Sequence, residues 1–181
     1  MAELECEWVT NEWDTIIPNL LSGNYDTIIA GMSITDERKE VIDFTADYYP
    51  PTASAYAALT EDLDVSGVIA AQTSTIQAGH VASTGATLVE FATLDDTIAA
   101  VKSGEVDGVF ADKDALVPFV EEQGFTFVAE DVPLGGGIGL GVRQSDTELK
   151  AKFDAAIETM KADGSLNALL IKYFGEETAT Y

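Results

Sequence analysis

The 181-residue sequence predicts an α/β protein of two lobes, one inserted into the other. Three observations predict it. Strand-like and helix-like segments alternate along nearly the whole chain. Pro50-Pro51 interrupts that alternation once, and Gly135-Gly136-Gly137 interrupts it again. The block between these breaks is entered once and left once, so the expected units are 1–50 with 136–181, and 51–135.

Leu4 to Val9 alternates polar and apolar residues and reads as a strand, with Cys6 a small buried side chain within it. Asn11, three residues before Asp14, offers a helix start, and Ile16, Ile17, Leu20 and Leu21 have helical spacing. Pro18 makes that helix short or late. Asp26 to Gly31 reads as a buried strand, and Thr35 caps a helical segment to Val41. Adjacent prolines exclude both helix and central strand, so an extended connector is expected at Pro50-Pro51. Strands follow at Ala53 to Leu59, Val68 to Ala71, Thr87 to Phe91, Gly108 to Ala111 and Phe125 to Ala129. A short helix is expected after Ser74. A second, capped by Thr93, places Leu94, Ile98 and Val101 on one face, and a third runs from near Asp112 to Glu122. Beyond the triple glycine, Ile138 to Val142 reads as a strand. Ser145 with Glu148 forms a capping box ahead of an amphipathic helix through Leu149, Phe153, Ile157 and Met160. A last helix, Leu166 to Tyr173, ends at Gly175. Mostly parallel sheets are expected from this alternation.

Charge narrows the function classes. The chain carries 32 acidic residues against 9 basic ones, a formal net charge of -23. Such a surface repels nucleic acid and anionic lipid, so neither is expected as a partner. The acidity serves solubility or steers a cationic ligand. No lysine or arginine precedes Arg38, so the basic start of a secretory leader is not seen; either the chain is intracellular or it is a mature segment without its leader. A lone cysteine, Cys6, closes no disulfide within the chain, and a lone histidine, His80, sits in a polar stretch expected to be exposed. These counts exclude a His/Cys metal cluster, and no metal or cofactor is expected.

Candidate binding residues lie where strands give way to helices, the usual place for ligands in such sheets. Ala30 to Arg38 is one such loop. The planar guanidinium of Arg38 suits a carboxylate, and Ser33 adds a hydroxyl and an N–H; equally, Arg38 could pair with Asp36 or Glu37 at the surface. Gln72 to Gln77 repeats the strand–turn–helix pattern in the central block. Its first-turn amides could hold an anion, or its Ser/Thr residues could simply cap the helix. Asp112, at the end of another strand, could accept from an ammonium or act as a cap. Together these groups offer a carboxylate clamp and an ammonium clamp, which an α-amino acid requires.

The run Asp26-Thr27-Ile28-Ile29-Ala30-Gly31-Met32-Ser33-Ile34-Thr35-Asp36-Glu37-Arg38, followed by Ile42-Asp43-Phe44-Thr45, closely resembles the signature of bacterial polar amino-acid-binding proteins, the solute-binding family 3 components of ABC transporters. The resemblance continues through Ser103 to Asp112, Lys161 to Leu166 and Lys172 to Gly175, covering essentially the whole chain. It implies a two-lobe, periplasmic-binding-protein type II architecture. The implied function is capture of a free polar or basic amino acid for delivery to a permease, outside the cytoplasm and without chemistry. Carried over by position, Arg38 holds the ligand carboxylate with Ser33 and Thr75, and Asp112 takes the α-ammonium. Gly31 lends a carbonyl, Trp13 packs on the ligand, Asp107 is structural, and the C-terminal helices pack on the first lobe.

One departure from the family pattern stands out. Members normally begin with a further strand and helix, roughly 30–40 residues, before the strand expected at Leu4. The first lobe is therefore expected to be N-terminally truncated, with an open edge filled by a second copy in a homodimer or by an inward shift of Leu4 to Val9. Two rival functions share the reading. One is a cyclohexadienyl dehydratase-like enzyme, for which Glu12 or Asp112 would have to serve as general acid. The other is a dimeric sensor or interaction module.

Overall fold

The structure, a computed structural model, describes residues 4–176 and 178–181. After a 3-10 turn at Trp13–Thr15, the chain forms α1 (Ile16–Leu21), α2 (Asp36–Lys39) and β1 (Asp43–Phe44). It continues through β2 (Ala53–Ala58), β3 (Val68–Gln72), α3 (Ile76–Thr84), β4 (Thr87–Phe91), α4 (Leu94–Ser103), β5 (Gly108–Asp112), α5 (Lys113–Glu122) and β6 (Thr126–Pro133). It closes with β7 (Gly141–Val142), α6 (Thr147–Ala162) and α7 (Ser165–Phe174). These elements fall into two compact units: residues 1–11, 15–51 and 135–181 in one, and residues 12–14 and 52–134 in the other.

The second unit is built on a five-stranded sheet ordered β4-β3-β5-β2-β6. Side chains alternate across this sheet, as the two-residue period of a strand demands. Tyr56, Ile69 and Phe110 enter one core with Val81 of α3, while their neighbours Ala57, Ala70 and Val109 enter another. That second core also takes Ile98 and Val101 from α4 and Leu116 from α5. Each fully buried large side chain contributes roughly 1.5–3 kcal/mol, so the sheet is held from both faces. Hydroxyl caps start two of the covering helices. Thr75 accepts from the Ala78 amide and Thr93 from the Asp96 amide, while Gly85 and Gly104 end those helices with positive φ.

The sheet is mixed rather than mostly parallel. β3 runs parallel to β4 and β5, but β2 runs antiparallel to β5 and β6. Local alternation of strands and helices cannot report that β2 pairs in the opposite sense, because direction is set by partners remote in sequence.

The first unit is less regular. Its only ladder among the described residues is the antiparallel pair β1–β7, extended by single bridges from Ile28 to Gly141 and from Ser33 and Tyr49 to Ile138. The strand expected at Asp26 to Gly31 is thus reduced to one bridge, and that expected at Ile138 to Val142 to its last two residues and the two bridges at Ile138. Burial sustains the unit instead. Leu20, Ile28, Met32, Ile42 and Val142 are buried, and Tyr49, Leu140, Ile157, Leu166 and Leu170 form a cluster that docks α6 and α7. Arg143 ties the chain further, donating to the carbonyls of Leu20 and Tyr25 and pairing with Asp26 and Asp146.

Leu4 to Val9 forms no strand. Trp8 and Val9 are exposed, and Cys6 is exposed rather than buried. Alternating polarity makes a strand only where a neighbour completes the backbone hydrogen bonds, and among the described residues this segment joins no ladder. The inward shift of the segment is accordingly not seen. The Ser145–Glu148 capping box does not form either: Asp146 occupies the cap of α6, and Ser145 turns its hydroxyl to the Asp146 carboxylate. Among the described residues, no helix is long and apolar enough to cross a membrane.

Candidate functional site

In the first unit, Ile28 and Ser33 are pinned by their bridges, and the chain between them turns at Gly31, whose φ of +66° favours glycine. The Gly31 amide donates to the Tyr48 hydroxyl. Burial raises the pKa of that hydroxyl, and the bond from Gly31 offsets part of the rise. Thr35 lies in the extended region and accepts from the Arg38 amide at 3.2 Å, which starts α2 and turns Arg38 back toward Ser33. The guanidinium then donates through Nη1 to the Ser33 carbonyl at 2.8 Å. This bond holds the planar fork of donors in one orientation, as bidentate recognition of a carboxylate requires. Of the two surface partners considered for Arg38, Asp36 and Glu37, Asp36 lies within 3.5 Å of the Lys39 ammonium. Gly31, Ser33 and Arg38 are thus gathered on one short stretch.

In the second unit, the β3–α3 loop carries Ser74 at a φ of +58°, a left-handed conformation costly for a residue with a Cβ. The Trp13 indole donates to the Ser74 carbonyl at 3.2 Å, which brings Trp13 beside Thr75 although the two lie far apart in sequence. The Thr75 hydroxyl is committed to its own helix: it donates to the Gln72 carbonyl at 2.6 Å and accepts from the Ala78 amide at 3.1 Å. Capping therefore describes this side chain. The first-turn amides of α3, which have no acceptor within the helix, provide the local positive end.

Asp112 ends β5 and precedes α5, but its side chain makes no capping hydrogen bond. Instead, its Oδ1 accepts from Gln77 Nε2 at 2.8 Å. The same Gln77 nitrogen donates to Ser54 Oγ at 3.0 Å, and both Gln77 and Ser54 are buried. Sequence reasoning passed over Gln77 and Ser54. A signal existed, since Gln77 lies one helical turn before the buried Val81 and so shares its inward face, and Ser54 interrupts an apolar strand. Nothing local says that Asp112 is their partner.

His80, expected to be exposed, is half-buried with its ring 5.0 Å from that of Phe110. Asp107 accepts from the Val68 amide at 2.8 Å, joining the start of β3 to the loop before β5. Among the described residues, no group of three or more histidine, cysteine or acidic side chains is placed to hold a metal ion.

Comparison with known proteins follows the same lines. The family model of the bacterial extracellular solute-binding proteins, family 3, matches residues 1–176. An L-arginine-binding protein of Pseudomonas aeruginosa is 32% identical over 95% of this chain and 73% of its own length. The lysine/arginine/ornithine-binding periplasmic protein of Escherichia coli is 28% identical over the same shares. Among solved structures, a periplasmic His/Glu/Gln/Arg/opine family-binding protein from Silicibacter pomeroyi, in complex with lysine, superposes with a TM-score of 0.98. It is 66% identical, over 99% of this chain and 84% of that one.

Proposed function

Since this chain belongs to the bacterial extracellular solute-binding proteins, family 3, we propose that it binds a free polar or basic amino acid and hands it unchanged to the permease of an ABC transporter. The observation that carries the reading is the Asp112 carboxylate, held by buried Gln77 at the end of β5 instead of capping α5. A carboxylate so held is suited to receive an ammonium group. The Arg38 guanidinium, oriented by Ser33, is suited to the carboxylate at the other end of the same ligand. In this reading Ser33 and the backbone N–H groups beside Thr75 assist Arg38, the Thr75 hydroxyl itself serving as the helix cap; Gly31 lends its carbonyl, and Trp13 packs on the ligand. Units 1–50 with 136–181 and 51–135 close around it, turning about the crossings near Pro51 and Gly135.

The relatives named above carry binding-protein names, and two of the three are described as periplasmic. We place this chain in the periplasm or outside the cell, and give it no catalytic role. A homodimer through the first unit belongs to the same reading, supported by the exposure of Trp8, Val9, Leu21 and Ile29 there.

A few charge-assisted hydrogen bonds, about 1.5–3 kcal/mol each, suffice for micromolar affinity, about -8 kcal/mol. A thermal melt with lysine, arginine, histidine and glutamine tests the reading. At 100 times its dissociation constant, a ligand stabilises by about 2.7 kcal/mol. A clear upward shift with at least one of them is expected; a cooperative melt unmoved by every amino acid would refute amino-acid binding.

A further inference from the structure

Among the described residues Gln77 is one of few buried polar side chains, and its carboxamide spans two elements remote in sequence. Through one nitrogen it donates to Ser54 Oγ on β2 at 3.0 Å and to Asp112 Oδ1 at the end of β5 at 2.8 Å. An amide –NH2 has two hydrogens, so both donors of Gln77 are assigned. Ser54 is itself almost fully enclosed, at 1% exposure, which leaves the carboxamide little freedom to rotate away. The antiparallel register places Ser54 directly opposite Asp112, so the strand pairing that forms the sheet also brings together the two acceptors that Gln77 bridges. A neutral donor at this place supports an ionised Asp112 without neutralising it, whereas a lysine or arginine there would cancel the charge that a ligand ammonium needs.

We infer that Gln77 is the positioning residue for recognition of the ligand α-ammonium: anchored by Ser54, it holds one oxygen of Asp112 and thereby sets the direction of the carboxylate. The inference rests on the amino-acid-binding reading and deepens it. Gln77 acts through Asp112, and its effect is confined to ligands that carry an α-ammonium.

Calorimetric titration with lysine and with 6-aminohexanoate, which is lysine without its α-ammonium, tests this. The wild-type protein is expected to prefer lysine by at least about tenfold. Gln77→Met keeps the bulk of the side chain and removes both donors. Gln77→Glu keeps the shape and sets a second carboxylate against Asp112. In whichever variant melts cooperatively, the preference for lysine is expected to collapse to within about threefold, with 6-aminohexanoate binding nearly unchanged. Ser54→Ala, which removes only the anchor, should fall between wild type and Gln77→Met. Equal weakening of both ligands, or an undiminished preference, would show that Gln77 is merely structural and would overturn the inference alone. Failure of the wild-type protein to bind lysine, arginine, histidine or glutamine would bring down the inference and the binding reading together.

Discussion

At the scale of single residues, a well-placed hydrogen bond turns each of three candidate side chains. Arg38 is turned by its bond to the Ser33 carbonyl, Asp112 by the one from Gln77, and Trp13 by its bond to Ser74. Of these, Arg38 carries the most exposed hypothesis, because a guanidinium can always find a surface carboxylate. If it binds the ligand carboxylate, Arg38→Ala removes charge-assisted bonds of about 1.5–3 kcal/mol and should weaken lysine binding at least about tenfold. The melting temperature of the ligand-free protein should barely move. Calorimetry on the variant decides the matter; unchanged affinity removes Arg38 from the site. Arg38 and Asp112 were legible in the sequence because charged residues at strand ends stand out. Gln77 was not, since a glutamine in a helix is unremarkable until its burial and partners are known.

At the scale of elements, the least sheet-like part of the molecule depends on α6 for its order. The Ala46 amide donates to Asp154 of α6 at 2.6 Å, and Lys161 near the end of α6 pairs with Asp47 at 2.8 Å. Lys161 also lies 3.9 Å from the centre of the Tyr181 ring. Gly137 passes so close to Asp47 that a Cβ there would meet the carboxylate at 2.5 Å, so the chain after the triple glycine is fitted to this pair. Burial by itself would raise the pKa of Asp47, but the hydrogen bonds from Lys161 and Tyr181 and the Lys161 charge outweigh it and hold the pKa below the usual value. A carboxyl whose folded-state pKa is depressed stabilises the fold above its unfolded value, about pH 4. It loses that contribution as pH falls through the depressed folded value. Lys161→Met should therefore cost roughly 1 kcal/mol at pH 7 and less at pH 3, below the unfolded value of the carboxyl. Urea unfolding at the two pH values measures this; an equal loss at both would detach the pair from stability.

At the scale of the whole molecule, net charge competes with exposed apolar surface. Each chain carries a formal charge of -23, so two copies repel, while Trp8, Val9, Leu21 and Ile29 of the first unit gain by being covered. Salt shortens the reach of the repulsion from about 30 Å at 0.01 M to about 3 Å at 1 M, and leaves hydrophobic burial intact. Sedimentation should accordingly show a dimer fraction that grows with sodium chloride. A monomer at every salt concentration would end the homodimer proposal. The same repulsion is why the sequence predicts neither nucleic acid nor an anionic membrane as a partner.

What the sequence by itself determined is what depends on neighbours a few residues away. The threonine caps of α2, α3 and α4, the rupture of regular structure at Pro50-Pro51, and the two-residue alternation that splits β2, β3 and β5 between two cores all follow from local sterics and hydrogen bonding. The α/β class and the family signature were legible on the same footing. Only the tertiary structure decided what depends on distant partners. Leu4 to Val9 has the pattern of a strand and remains unpaired among the described residues, because a strand exists only where another chain segment completes its hydrogen bonds. β2 runs antiparallel to its neighbours for the same reason, since direction belongs to the pair. Gln77 meets Asp112 across 35 positions of sequence because the sheet and α3 bring them together, a juxtaposition that no local rule contains.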